Sequence, residues 1–183
     1  MSNNKERMEP TDTVHLFLAL RRNKDNRDIE DHQELCFHQV VRDYDKDLAI
    51  LKTRIASFPG TWRIHKTVNK RNIHRARIWM MKRLIDTDGS YDYRIDTLWK
   101  KALMNNPIKE KFLIDIDTTN EDVLNNITDK LVVNDIEFYS VTNTPNGYHI
   151  VCDHFDTRLI ADIENVSFKR DGYVFVEKVI IPE

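Results

Sequence analysis

The stretch Phe112-Leu113-Ile114-Asp115-Ile116-Asp117 decides the fold of this chain, because it is an apolar run that ends in two carboxylates spaced two residues apart. On a β-strand that spacing points Asp115 and Asp117 to one face, and the apolar residues that alternate with them point into a core. About thirty residues later, Asn143–Val151 predicts a polar turn that leads into a strand carrying His149. Two carboxylates and a nearby histidine can together hold a divalent metal and a phosphate.

The composition of the 183 residues indicates one domain with a hydrophobic core, since 40% are hydrophobic and 32% are charged. No apolar run approaches the roughly 18–20 residues that a membrane span needs, and the N-terminus lacks the apolar segment of a signal peptide. Cys36 and Cys152 are the two cysteines, and no CxxC motif is present. We therefore expect a cytoplasmic protein with no disulfide framework and no membrane partner.

Charge is distributed unevenly, although the net charge is only −2. Residues 61–85 include eight Lys/Arg and no acid, whereas residues 110–137 include eight acids and two lysines. This asymmetry suits a protein that handles a polyanion near a bound metal, and two solvated faces would have the same pattern. A strand, its turn and the start of a helix are predicted to place the basic residues where a nucleic-acid backbone can bind. These candidate contacts are Arg63, Lys66, Lys70, Arg71 and Arg75.

Hydrophobic periodicity and turn residues predict the other elements. In the first half they are a strand over residues 14–20, a helix from about Ile29 to Ile55, a strand over 61–67, a helix over 70–85 with Asn69 as its N-cap, and a helix over 92–104. In the second half they are the strand 110–117, a helix over 120–132, strands over 137–141 and 148–152, and a hairpin of 166–169 and 173–180 around Arg170-Asp171-Gly172.

This order predicts the α+β class, with helices on one face of a largely antiparallel sheet over residues 109–183. Residues 13–108 are predicted to form an N-terminal αβ layer of the same domain, which would span residues 13–183. Residues 1–12 are predicted to be a flexible leader.

The two motifs and the order of elements resemble the catalytic core of the archaeo-eukaryotic primase (primase-polymerase) superfamily. That family has an RRM-like sheet with an apolar strand ending in Asp-x-Asp/Glu, a histidine motif on the neighbouring strand, and a carboxylate after an apolar residue on a later strand. Phe112–Asp117 is similar to the first motif, and Thr144–Val151 is similar to the form of the second that has a glycine just before the histidine. The best candidate for the third motif is Glu177. The motif-bearing resemblance covers about residues 110–151.

The resemblance implies a metal-dependent nucleotidyltransferase that acts on single-stranded or primed nucleic acid with nucleoside triphosphates, alone or with other replication proteins. It implies that Asp115 and Asp117 coordinate Mg²⁺ or Mn²⁺, that Glu177 is a third catalytic carboxylate, and that His149 contacts a phosphate of the nucleotide. The turn before His149 would carry further nucleotide contacts at Thr144, Asn146 and Gly147, where Asn146 and Gly147 let the backbone approach the phosphate.

Two other interpretations remain open. Asp115-Ile-Asp117-Thr-Thr also resembles the opening Asp-x-Asp-x-Thr of haloacid-dehalogenase-like phosphatases, in which the first Asp is the nucleophile. Alternatively, a catalytically degenerate primase-like core would act as a nucleotide or single-stranded nucleic-acid binding module, because an RRM-like sheet can bind through aromatic and basic residues without chemistry. A zinc site at His149, Cys152 and His154 is not expected, since strand alternation places His149 opposite the other two.

Overall fold

The computed structural model describes residues 12–28, 33–86 and 94–182, and in these residues the α+β class is confirmed by two antiparallel sheets and four helices. In chain order the elements are β1 (Thr13–Arg21), β2 (Leu35–Val41), α1 (Tyr44–Ile55), β3 (Gly60–Thr67), β4 (Arg71–Asn72), α2 (Ile73–Ile85), α3 (Ile95–Met104), β5 (Phe112–Ile116), α4 (Glu121–Val133), β6 (Phe138–Thr144), β7 (Gly147–Cys152), β8 (Val166–Lys169) and β9 (Tyr173–Ile181). The leader expected over residues 1–12 lies outside the described residues, apart from Asp12.

The chain divides into two compact units, and one of the boundaries between them falls between Ile108 and Lys109. The larger unit consists of His15–Asn69 and Lys109–Glu183, and the smaller unit of Met1–Val14 and Lys70–Ile108. In the smaller unit, β4 pairs with the first two residues of β1, and α2 and α3 pack against each other. Both principal sheets lie in the larger unit.

The first sheet of the larger unit has the strand order β2-β1-β3-β9, with every neighbouring pair antiparallel. Alternate residues of β1 and β3, such as Phe17 and Trp62, are fully buried against α1. The helix contributes Leu51 and Ile55, which have no exposed surface. The residues between them on the strands, such as Leu18 and Arg63, consequently point to the opposite face of the sheet.

The second sheet has the strand order β6-β7-β5-β8, and α4 covers one of its faces. Phe112, Ile114 and Ile116 of β5 pack in the core beneath α4, so the burial predicted for these three residues is confirmed. Asn120 caps α4, because its side chain accepts a hydrogen bond from the Asp122 N–H at 2.9 Å. Asp115 alternates with these core residues along β5, so its side chain points to the opposite face of the sheet.

One strand and one hairpin were predicted incorrectly, and both errors concern pairing between distant segments. Leu35–Val41 is strand β2 rather than the first half of a helix, because it pairs with β1 over its whole length. Asp43 then starts α1 by accepting a hydrogen bond from the Lys46 N–H. The hairpin predicted around Arg170-Asp171-Gly172 does not form, since β8 pairs with β5 in one sheet and β9 pairs with β3 in the other.

The N-cap of the basic helix α2 is also different from the prediction. Asn72 caps the helix, and its side chain accepts a hydrogen bond from the Arg75 N–H at 2.8 Å. The predicted cap, Asn69, is buried in the larger unit, where its amide bonds to the backbone of Glu110 and Lys111. The short strand β4 lies between Asn69 and the helix, so the N-cap is three residues later than predicted.

In the part of the chain that the structure describes, no helix combines the length and apolar character needed to cross a membrane.

Candidate active site

Asp115 and Asp117 lie at the end of β5, on the face of the sheet opposite α4. Both line an open cleft of about 460 Å³, so the prediction that they share a face is confirmed. The cleft belongs wholly to the larger unit, and residues of both of its sheets line it. Beside it, Val68, Leu113 and Val151 form a small buried cluster, with Val174 packed against them, that joins the two sheets. The apolar contact holds the sheets together while their polar residues face the cleft.

His149 is the direct cross-strand neighbour of Asp115 in the pairing of β5 with β7. Its Nε2 lies 3.2 Å from Asp115 Oδ1, and its Nδ1 accepts a hydrogen bond from the Phe175 N–H at 3.0 Å. Because a backbone N–H can only donate, Nδ1 carries no proton, and the proton of the neutral ring is on Nε2. His149 therefore presents a hydrogen-bond donor to the cleft.

Asp115 is held by two donors from its own sheet. Lys169 Nζ lies 2.6 Å from Asp115 Oδ2, while His149 contacts the other oxygen. The hydrogen bond from His149 is the largest cause of a lowered pKa for Asp115, and Lys169 adds to it, so that the pKa falls to about 2 despite the opposing effect of burial. The carboxylate is consequently charged across the physiological pH range.

The opposite wall of the cleft is basic. Arg22 and Arg63 both bond to the carboxylate of Asp25, at 2.8 Å and 2.7 Å, and Lys24 also lines the cleft. Burial alone would raise the pKa of Asp25, but the hydrogen bonds from Arg22 and Arg63 outweigh burial and lower it. Asp25 thus fixes two guanidinium groups in place and leaves a net positive charge on this wall.

His65 lies on the same basic wall, two residues after Arg63. Burial, followed by the positive charges of neighbouring groups, lowers the pKa of His65 to about 4, so the ring is neutral near pH 7. Two polar atoms of this wall, His65 Nδ1 and Arg22 Nη2, are buried without a hydrogen-bond partner among the described residues. Such atoms are rare in folded proteins, and a bound ligand can satisfy them.

The turn between β6 and β7 divides the predicted nucleotide contacts into two groups. Thr144 and Asn146 line the cleft, as expected. Gly147 instead packs against the backbone at the end of β5, where an added Cβ would clash with the carbonyl oxygen of Ile116 and lie 2.7 Å from that of Thr118. The close approach that needs glycine here is to the strand that carries Asp115, so Gly147 acts by positioning that strand end.

Glu177 does not face the cleft, in contrast to the expectation. Its carboxylate lies 2.8 Å from Lys52 Nζ of α1. The cause is a β-bulge in β9, where Ile64 pairs with Glu177 but the next residue, His65, pairs with Phe175. The extra residue reverses the alternation, so Phe175 faces the cleft and Glu177 faces the helix.

Asp171 is the acidic residue that sequence analysis missed. It lines the cleft together with Asp115 and Asp117, and its Oδ1 accepts a hydrogen bond from the Asn69 amide at 3.3 Å. Lys169, two residues earlier, points into the same cleft. The signal available in the sequence is this spacing of two at the end of a strand, which repeats the spacing of Asp115 and Asp117.

The five candidate nucleic-acid contacts are divided between the units. In the larger unit, Arg63 lines the cleft, and Lys66 is half-buried with its ammonium 5.4 Å from the Tyr44 ring centre. In the smaller unit, Lys70 and Arg75 are exposed, whereas Arg71 is only 1% exposed. The guanidinium of Arg71 is thus placed in the interior and not on the surface where the prediction expected it.

The residues of the cleft fit a divalent cation only in part. Among the described residues, no three His, Cys, Asp or Glu side chains come together closely enough to hold a metal ion by themselves. Asp115 and Asp117 nevertheless supply the hard oxygen donors that Mg²⁺ and Mn²⁺ prefer. Magnesium is commonly bound by one or two carboxylates together with substrate phosphates, so this donor set fits a metal that binds with a phosphate ligand.

The arrangement combines an acidic wall, a basic wall and a histidine that donates into the space between them. A ligand that carries both a phosphate chain and a divalent cation matches both walls. Comparison with protein-family models, with curated proteins and with solved structures finds no match to this chain. The ligand of the cleft is therefore indicated by the chemistry of its own residues.

Proposed function

We propose that this chain is a metal-dependent nucleotidyltransferase of primase-polymerase type that adds nucleotides from nucleoside triphosphates to a nucleic-acid end. The observation that carries the proposal is that Asp115, Asp117 and His149 face the cations Arg22 and Arg63 across one cleft. Opposite charges in one cleft complement a metal–triphosphate, which is cationic at the metal and anionic along the phosphates.

On this proposal, Asp115 and Asp117 hold Mg²⁺ or Mn²⁺, and Asp171 takes the role of third carboxylate that Glu177 was expected to have. The bound metal supplies neutralisation of the phosphate charge and a lower pKa for the attacking 3′-hydroxyl. When the metal occupies Asp115, the Nε2–H of His149 would exchange its hydrogen bond to Asp115 Oδ1 for one to a phosphate oxygen, and the Phe175 N–H keeps the ring in the tautomer that can do so.

The basic wall would hold the phosphate chain. Arg22 and Arg63 are oriented in advance by Asp25, so little side-chain entropy is lost when they bind an anion. The Arg22 side chain lines the cleft and is 28% exposed, so its guanidinium can meet a phosphate oxygen there. For the nucleic-acid strand, Lys66 remains the proposed contact in the larger unit; Lys70 and Arg75 are proposed separately as an exposed basic surface of the smaller unit.

The test is the incorporation of labelled NTPs and dNTPs on primed and unprimed single strands with Mn²⁺. We expect incorporation by the wild type and its loss in the double variant Asp115→Ala/Asp117→Ala. The matched control is Asp129→Ala/Glu164→Ala, which removes two exposed carboxylates away from the cleft and should retain activity. Equal incorporation by both double variants would contradict the proposal.

A second candidate function is a primase-like core that binds nucleotide or single-stranded nucleic acid without chemistry. It is favoured by the ion pair of Lys169 with Asp115, and by the lack of a three-residue metal cluster in the described residues. No incorporation, with equal nucleic-acid binding by the wild type and by Asp115→Ala/Asp117→Ala, would support this alternative. The phosphatase interpretation is not carried forward, because its Rossmann-type units need a parallel sheet and both sheets here are antiparallel.

A further inference from the structure

Lys169 forms an ion pair with Asp115 inside the cleft. It lies on β8 beside β5, and its Nζ contacts Asp115 Oδ2 at 2.6 Å. The other carboxylate oxygen accepts from His149 at 3.2 Å. Both oxygens of the residue proposed to bind metal are thus already contacted by cationic or donor groups of the chain itself.

We propose that Lys169 is a tethered cation that competes with the divalent metal for Asp115, and that it is released to a phosphate when a nucleoside triphosphate binds. The inference rests on the proposed function and adds to it that metal and nucleotide bind cooperatively. Lys169 is the positioning residue that couples the two, because the same ammonium pairs with Asp115 in one state and with the nucleotide in the other.

This exchange requires a side chain that can move, and Lys169 meets this requirement whereas Arg22 and Arg63 on the opposite wall do not. The Lys169 side chain is 48% exposed, and its ammonium stands at the end of a flexible four-carbon stem. Arg22 and Arg63 are instead fixed on Asp25, with side chains only 28% and 14% exposed. Lys169 can therefore move within the cleft without breaking a structural ion pair other than its own.

Electrostatics gives the direction of the coupling. A divalent cation at Asp115 repels the Lys169 ammonium, and no new favourable interaction offsets this repulsion unless an anion enters the cleft. The phosphate chain of a nucleotide provides that anion, so each ligand removes an obstacle to the other. Asp117 and Asp171 also line the cleft with Lys169. Their negative charges weaken the repulsion between the metal and the Lys169 ammonium, but they do not replace the phosphate as its new partner.

The inference predicts that Lys169→Met removes the competition. We expect this variant to bind Mn²⁺ alone about tenfold more tightly than the wild type, within the usual range of coupling between two sites. A non-hydrolysable nucleoside triphosphate should tighten Mn²⁺ binding about tenfold more in the wild type than in Lys169→Met, because its phosphate oxygens bind the metal in both proteins but the release of Lys169 adds to the effect only in the wild type. The measurement is a titration followed by the electron paramagnetic resonance signal of free Mn²⁺, which requires no turnover.

Three further variants distinguish a failure of the coupling by Lys169 from a failure of the proposed function. Lys169→Arg keeps the charge and should behave like the wild type, Lys169→Gln should repeat the result of Lys169→Met, and Asp115→Asn should lose Mn²⁺ binding. If Lys169→Met and Lys169→Gln bind Mn²⁺ as the wild type does while Asp115→Asn loses it, the coupling by Lys169 is overturned and the proposed function stands. If the wild type binds no Mn²⁺ even with the nucleotide analogue, the proposed function itself is overturned, and the coupling with it.

Discussion

Replacing Asp115 by asparagine removes the carboxylate that His149 and Lys169 hold, and the effect on stability should depend on pH. Those two contacts lower the pKa of Asp115 from 3.8 to about 2, with the hydrogen bond from His149 as the largest cause. The side chain is 17% exposed, so solvent screens the interaction only partly. In the unfolded chain, Asp115 has its ordinary pKa, and this difference between the two states links its ionisation to folding.

The magnitude follows from the size of the pKa difference. At about 1.4 kcal/mol per unit, a fall from 3.8 to about 2 corresponds to roughly 2–3 kcal/mol of free energy of unfolding at neutral pH. A carboxyl group whose pKa is lowered by folding contributes this stability above its unfolded pKa and loses it as the pH falls towards its folded pKa. The loss therefore lies between about pH 5 and pH 1.

The assay is urea unfolding of the wild type and of Asp115→Asn, in the presence of EDTA, at about pH 6.5 and about pH 3. We expect the difference in free energy of unfolding between the two proteins to shrink by about 1 kcal/mol at the lower pH. Asp115→Ala should show the same pH dependence with a different offset, because both variants lack the titrating group. A difference that stays constant between the two pH values would refute the assignment of these contacts to Asp115.

Three other predictions test the site and the core. Gly147→Ala should lower the free energy of unfolding by at least about 2 kcal/mol in a urea titration, because its Cβ would meet backbone at the end of β5; an unchanged midpoint would contradict this. In the incorporation assay, Glu177→Gln should keep activity within about twofold, whereas Asp171→Asn should lose more than about tenfold, or about 1.4 kcal/mol of transition-state stabilisation; the reverse order would restore Glu177 as the third carboxylate. Leu51→Ala, at a fully buried position of α1, should cost about 2–5 kcal/mol, while Ile50→Ala, 39% exposed on the same helix, should cost less than about 1 kcal/mol; equal costs would be inconsistent with the packing of α1.

The elements that sequence predicted well are those specified by local patterns. Helix α4, strand β5 and the pair β6–β7 all have clear periodicity between turn residues, and each lies within a few residues of its predicted position. A local pattern is sufficient here, because each of these elements buries the face that its own periodicity marks.

The errors arise where a segment depends on a distant partner. The residues of β2 form a strand because β1 is available to pair with them, and β9 joins β3 although its sequence neighbour β8 joins β5. Strand pairing of this kind is a tertiary interaction, so no window of sequence specifies it. The β-bulge in β9 has the same origin, and it reversed the face on which Glu177 was expected.

Local sequence is enough to predict that Asp115 and Asp117 share a face and that His149 follows on a strand after a tight turn, because side chains alternate along a strand whatever its partner. Only the tertiary structure decided which groups meet these residues. Arg22 follows β1, whereas Lys169 and Asp171 lie at the end of β8, and these two segments reach one cleft because two sheets pack together through an apolar cluster beside it. The charge that faces a carboxylate thus depends on sheet packing, whereas the direction in which the carboxylate points depends on its own strand.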